Sequence, residues 1–211
     1  MKPLDAALMG LMRQIADGDA AAVKKALAGS PLMAGASIEE GATRRSARPW
    51  FLADVQHYVY GGDTALHVAA ATYRHAIARV LLTAGADVRA RNRRGQEPLH
   101  YAADGVPGAR GWDPKAQAAT IARLIAAGAD PNAGDSTGVT PLHRAVRTRC
   151  AAAVEALLAG GADPRRKTDK GSTAARLAQV ATGRGGSGSA EAKAQQEQIV
   201  KLLGGKRRRR S

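Results

Sequence analysis

The feature that most constrains this chain is a tetrad that returns at a fixed interval. Thr64-Ala65-Leu66-His67 is followed by Glu97-Pro98-Leu99-His100 and by Thr140-Pro141-Leu142-His143. A worn copy, Thr173-Ala174-Ala175-Arg176, comes last. The step from Leu66 to Leu99 is 33 residues, the next to Leu142 is 43, and that to Ala175 is again 33. A Gly-Ala-Asp triplet closes each of the first three units, at Gly85-Ala86-Asp87, Gly128-Ala129-Asp130 and Gly161-Ala162-Asp163. One supersecondary unit of about 33 residues is being stacked.

Between tetrad and triplet the apolar period is helical. Leu66, Ala69 and Ala70 share one face, and Ile77, Val80, Leu81 and Leu82 form a second stripe. Thr64 and Thr140 are good N-caps for a short helix of small residues. Gly85 supplies the left-handed position that ends the second helix. Each unit is thus helix–turn–helix plus a loop, with an apolar face that needs a neighbour.

The Thr-Pro-Leu-His-x-Ala start, the Leu-Leu-x-x-Gly-Ala-Asp ending and the lead-ins Asn92-Arg93-Arg94-Gly95-Gln96-Glu97 and Asp135-Ser136-Thr137-Gly138-Val139-Thr140 together resemble the ankyrin repeat family. The resemblance covers residues 61–204 well and 4–36 weakly. It implies an all-α solenoid of stacked helix pairs with projecting loops, used to bind another protein. It also implies that His67, His100 and His143 are structural hydrogen-bonders tying adjacent loops. Thr64, Leu66, Leu99, Thr140 and Leu142 belong to the same repeat motif.

The chain divides accordingly. Residues 1–36 read as an N-terminal capping helix pair, with Leu4, Leu8, Leu11 and Ile15 on one face. Residues 37–60 are an insertion outside the repeat, with a short helix expected near Leu52 to His57. Repeats then span about 61–92, 93–134 and 135–168, and a degenerate cap spans 169–204. A disordered basic tail is expected at 205–211. Two departures from the family stand out. The corner after the first helix holds Tyr73 and Arg149 instead of Gly. A left-handed backbone there costs roughly 1 kcal/mol or more, so reshaped corners are expected. The middle unit also carries ten extra residues around Val106 to Trp112, after which Asp113-Pro114 reads as an N-cap and first helical residue.

Aromatic residues are only 3% of the chain, so the core must be Ala and Leu packing. Four of the seven aromatics nevertheless lie between residues 50 and 60. No run of 18 apolar residues suggests a membrane span, and no secretory signal is read at the N-terminus. One cysteine excludes an internal disulfide and fits a reducing cytoplasm. A monomer is expected. Net charge is +14, of which five charges sit in Lys206-Arg207-Arg208-Arg209-Arg210. That run resembles a nuclear import signal, which matters only in a eukaryotic cell. GC-rich coding, of bacterial type, is the simpler source of the Arg excess; an acidic partner or nucleic acid is the functional one.

Catalytic, cofactor and metal sites are not expected. The three repeat histidines sit in successive units about 10 Å apart and cannot converge on one ion. No nucleophile signature and no paired cysteines appear. Gly183-Arg184-Gly185-Gly186-Ser187-Gly188-Ser189 lacks the Gly-Lys-Ser/Thr ending of a phosphate loop and reads as a linker. Cys150 reads as a partly buried filler.

Binding is what remains. Loop tips and first helices are the positions that packing leaves free. These hold Arg89, Arg91, Arg93 and Arg94, then Ser136 and Thr137, then Arg165, Arg166, Lys167 and Lys170, with Arg144 and Arg147 on the helix between. Trp112 is either an aromatic anchor for a partner or a loop residue folded back on its own unit. The expected partner is an acidic protein or peptide. The alternative is a nucleic acid held by the basic loops and tail.

Overall fold

The computed structural model describes residues 1–55, 57–109, 111–179 and 190–204. The expected linker at 183–189, the basic tail and Arg110 lie outside these. Ten α-helices among the described residues form five consecutive pairs: α1 (Pro3–Asp17) with α2 (Ala20–Gly29), α3 (Ala65–Ala71) with α4 (His75–Thr83), α5 (Pro98–Ala102) with α6 (Pro114–Ala126), α7 (Pro141–Thr148) with α8 (Ala151–Ala159), and α9 (Ala174–Gln179) with α10 (Ala190–Leu202). The first helices pack on one another in chain order, α1 to α9, and the second helices do the same, α2 to α10. Two layers of helix therefore run the length of an all-α stack.

The local chemistry explains the breaks. Thr140 is extended at the N-cap of α7, where its hydroxyl accepts from the His143 amide, and Pro141 opens the helix. Asp113 caps α6 by accepting from the amides of Lys115 and Ala116 at 2.9 and 3.0 Å, with Pro114 as first helical residue. The Asp of each closing triplet turns the chain by accepting from the amide two residues on: Arg89, Asn132 and Arg165, at 2.8, 2.8 and 2.9 Å. Leu66, Leu99 and Leu142 lie fully buried between neighbouring units. Ala65, Ala69, Ala102, Ala145 and Ala153 fill the remaining space, so small residues set the close helix spacing.

Three sequence expectations change. Leu4 is 46% exposed, and the buried stripe of α1 is Leu8, Leu11, Met12 and Ile15. The first turn instead buries Asp5, whose carboxylate accepts from the amides of Glu39 and Glu40 at 2.9 and 3.2 Å. Second, the stretch near Leu52 to His57 is not an α-helix. Strands β1 (Phe51–Leu52) and β2 (His57–Tyr58) pair antiparallel across a 3₁₀ turn at Ala53–Val55. Two further isolated pairings, Ser37 with Thr64 and Gly41 with Tyr60, extend this hairpin down to the stack. The same kind of bridge closes the last loop, Lys167 with Thr173. The segment is thus an enlarged version of an inter-repeat loop. Its base is tight: Gly41 has φ 68°, and a Cβ there would lie 2.1 Å from the Gly61 nitrogen.

Third, the corners at Tyr73 and Arg149 are not reshaped. Both residues keep the left-handed backbone, at φ 56° and 62°. Compensation is visible at Tyr73, whose hydroxyl donates to the Asp104 carbonyl at 2.5 Å in the next unit. Its burial pushes the phenol well above its usual pKa. The side chain is thus fixed as a neutral donor.

Candidate binding face

The loop tips form a continuous edge because their backbones are bonded to one another. The Arg93 amide donates to the Gly61 carbonyl at 2.9 Å, the Ser136 amide to Arg94 at 2.9 Å, and the Asp169 amide to Thr137 at 3.1 Å. Each tip is shaped from within. The Asn92 side-chain oxygen accepts from the amides of Arg94 and Gln96, and Asp135 does the same for Thr137 and Val139. Arg93 and Arg94, Ser136 and Thr137, and Asp169 and Lys170 therefore follow one another along one edge.

Behind the tips runs a line of histidine bridges. In each unit the ring Nδ1 accepts from the N-cap amide: Thr64 to His67 at 3.1 Å, Glu97 to His100 at 3.1 Å, and Thr140 to His143 at 3.2 Å. An accepting Nδ1 leaves the proton on Nε2. That nitrogen donates into the next loop, to the carbonyls of Gln96, Val139 and Ser172 at 3.0, 3.0 and 3.1 Å. Burial lowers the pKa of all three rings, that of His100 to about 4. Neutral imidazole is the form that makes both bonds. Each ring is used up within its own joint.

The cationic residues fall into two groups. Arg91 donates from its Nε to Gly95 at 3.1 Å and from its terminal nitrogen to the Gly134 carbonyl, so it staples one tip to the next. Arg144 is only 23% exposed and pairs with Asp104 at 2.5 Å. These two hold the stack together. Arg89 meets Asp130 at 3.8 Å on the surface, Arg165 lies beside Asp163 with 90% of its side chain exposed, and Arg166, Lys167 and Lys170 are exposed. Arg147, on α7, is exposed as well. Trp112 is half-buried, its indole nitrogen donating to Gln117 at 3.2 Å, and Gln117 in turn donates to the Ala102 and Asp104 carbonyls. The structure therefore places Trp112 against its own unit. Cys150 is fully buried beside it, and burial pushes its thiol up to about 11, which makes it a poor nucleophile.

Sequence reasoning missed one part of this face. The enlarged first hairpin leans on the Arg93–Arg94 tip. Tyr60 lies under both guanidinium groups, 4.2 Å from Arg94 and 5.3 Å from Arg93. Arg93 also donates to the Ala42 carbonyl. The crowding of aromatics between residues 50 and 60 was the available signal. Below the tip, buried Asp63 accepts from the Tyr60 amide at 2.7 Å, from Asn92 at 2.9 Å and from the Tyr101 hydroxyl at 2.9 Å.

Comparison with known proteins fits this geometry. Residues 11–109 match a family profile of ankyrin repeats (3 copies), and residues 124–178 match one of ankyrin repeats (many copies). Mouse protein phosphatase 1 regulatory subunit 12A is 44% identical over 69 residues, which is 31% of this chain and 7% of that protein. The chain thus spans a small fraction of that relative's length. Among the described residues no helix is long and apolar enough to cross a membrane. With the repeat period, the histidine bridges, the bonded loop tips and both profiles in agreement, the chain belongs to the ankyrin-repeat family, whose members are protein-interaction modules.

Proposed function

We propose that this chain is a non-enzymatic binding module that takes an acidic segment of a partner protein along its loop-tip edge. The observation that supports this is the line of exposed cations on bonded tips: Arg89, Arg93 and Arg94 at one position, Arg165, Arg166, Lys167 and Lys170 two loops along. Ser136 and Thr137 between them offer neutral hydrogen-bonding groups. The edge is fixed by backbone bonds, so little ordering is needed when a partner docks. Like charges on one edge attract an acidic surface and speed its approach. Arg147 extends the face onto α7. The mouse relative is by name a regulatory subunit, a protein that works through another protein, and the local likeness to it supports the same mode of use.

A competition measurement tests the proposal. A labelled Glu-rich peptide and a single-stranded DNA of equal charge are titrated against the protein over a range of salt. The peptide should bind, and Arg165→Ser with Arg166→Ser should weaken it several-fold at unchanged melting temperature. Binding of the DNA alone, with a steep salt slope that disappears on removing residues 206–210, would replace the proposal by the nucleic-acid reading.

A further inference from the structure

The cleft between the enlarged hairpin and the second loop tip is open, with a volume of about 420 Å³, and is lined by Ala42, Arg44, Tyr58, Tyr60, Arg93 and Arg94, among others. Its charge is unusual. Three guanidinium groups line one small space, and among the described residues no ion pair joins any of them to a carboxylate. Two of them are held by neutral groups instead. Arg93 is fixed by the Ala42 carbonyl and Arg94 by the face of Tyr60. A carbonyl and a ring orient a guanidinium without cancelling its charge. The hairpin carrying Arg44 is closed by the Ala42 amide, which donates to the Val59 carbonyl at 2.7 Å, and is tied to the stack through Asp63, which accepts from the Tyr60 amide and from the side chains of Asn92 and Tyr101. Positive charge has been gathered, and two of its three carriers oriented, with no counter-charge supplied.

We propose that this cleft is a site for a phosphate monoester carried on a peptide side chain. A single carboxylate brings one negative charge, whereas a phosphate monoester brings about −1.5 to −2 and three strong acceptor oxygens. Three planar guanidinium forks match that demand, and Arg recognises phosphate better than Lys because the fork is rigid and can bond through two nitrogens. The cleft is open rather than enclosing, which suits a side chain projecting from a larger partner. This assignment rests on the binding reading above and adds to it a place and a chemical group.

The test uses the full chain and a short fluorescein-labelled Gly/Glu peptide with one central serine, with and without phosphate on it. The phosphorylated form should bind at least about tenfold more tightly, the scale of one or two charge-assisted bonds. Arg44→Gln should reduce that ratio severalfold; Arg44 makes no contact on which the fold depends, so folding is not at issue. Tyr60→Leu keeps every charge and should also reduce the ratio, while Tyr60→Phe, which keeps the ring, should preserve it. Simple charge attraction would not respond to Tyr60. Arg165→Ser with Arg166→Ser should weaken both peptides alike and leave the ratio intact. Equal binding of the two peptides overturns the phosphate assignment while leaving the acidic-partner proposal standing; failure of both peptides removes both. Adenosine monophosphate is the remaining arm. If it binds more tightly than the phosphopeptide and displaces it, the cleft takes a nucleotide and the peptide assignment is wrong.

Discussion

The first and last histidine joints of this stack are built on the same bridge and finished differently. At the front, His67 donates to the Gln96 carbonyl at 3.0 Å; at the rear, His143 donates to the Ser172 carbonyl at 3.1 Å. Around the front bridge lies a buried network. Asp63 gathers the Tyr60 amide, Asn92 and Tyr101, and Tyr101 also packs edge-on to His67 with ring centroids 5.1 Å apart. At the rear, Val139 stands one residue before the His143 tetrad, where the front has Asp63, and Leu177 stands where the neighbouring unit has Tyr101. Thr168 replaces Asn92, with one bond of 3.2 Å from the Ser172 amide. The bridge alone does not set the strength of a joint; the residues beside it do. The front joint therefore supports an enlarged hairpin and a fixed arginine cleft, and the rear joint supports a plain loop.

The largest expected effect tests that contrast directly. Asp63→Ala should strip three buried donors of their acceptor. At about 1–3 kcal/mol for each unsatisfied group the loss should approach 4 kcal/mol, roughly, in denaturant midpoint at constant slope. Ser172→Ala, in the rear joint and likewise one residue before a tetrad, should shift stability by no more than about 0.5 kcal/mol. Equal losses at the two sites would erase the distinction drawn between the joints.

The apolar core should not share this asymmetry. Leu99 and Leu142 are 0% and 1% exposed, each enclosed by neighbours on both sides. Replacing either with Ala should cost about 3 kcal/mol. Leu203, after the last of the described helices, is half-buried, and its replacement should cost about 1 kcal/mol. A large difference between Leu99 and Leu142 would mean that the front network, not repetition, governs packing.

Acid should separate the joints next. The folded-state pKa of His67, His100 and His143 lies below the ordinary 6.5. Unfolded chains then bind protons that the folded chain refuses, so stability is full above pH 6.5 and is lost as pH falls. For His100, with a folded pKa of about 4, the loss runs from pH 6.5 down to about 4. It should reach roughly 3 kcal/mol. Glu97 works the other way, because burial raises its pKa and a protonated carboxyl is favoured in the fold. The melting temperature should therefore drop between pH 7 and 5, and drop less steeply below that. His100→Gln should flatten the profile more than His143→Gln, because the larger lowering of pKa falls on His100. A profile that neither variant changes would remove the histidines from the acid response.

What the sequence disclosed follows from which interactions are periodic. Leu66, Leu99 and Leu142, the histidines and the Gly-Ala-Asp triplets recur, so their register revealed the stack and its edge. The Asp113 cap and Pro114 were legible for a local reason, since capping involves only neighbours in the chain. The hairpin was not legible, because it is held by contacts made once: Ala42 to Arg93, Tyr60 to Arg94, Asp5 to the amides of Glu39 and Glu40. Arg91 and Arg144 looked like free cations for the same reason. Their acceptors, the Gly134 carbonyl and Asp104, lie 43 and 40 residues away in the chain. The left-handed Tyr73 corner was expected to relax, and it does not because the Asp104 carbonyl that holds its hydroxyl is in another repeat.

The smallest effect is the most specific to the comparison of loops. Arg93 and Arg165 are both exposed cations on loops of the same edge. Arg165 pairs with Asp163, two residues earlier, at 3.2 Å, and an exposed pair of that kind is worth little. Arg93 reaches across to the enlarged hairpin, donating to the Ala42 carbonyl and lying over Tyr60 at 5.3 Å. Arg93→Ser should therefore cost about 1 kcal/mol, from one hydrogen bond to a main-chain carbonyl and a partly exposed ring contact. Arg165→Ser should stay within about 0.5 kcal/mol. Hydrogen exchange locates the difference better than a melting curve does. The Ala42 and Val59 amides, which close the hairpin base, should exchange faster in Arg93→Ser, while the Thr168 and Gly171 amides of the rear loop should be unaffected by Arg165→Ser. If the hairpin amides keep their protection without Arg93, the hairpin is held by its own base alone, and the second loop contributes charge to the cleft but no support.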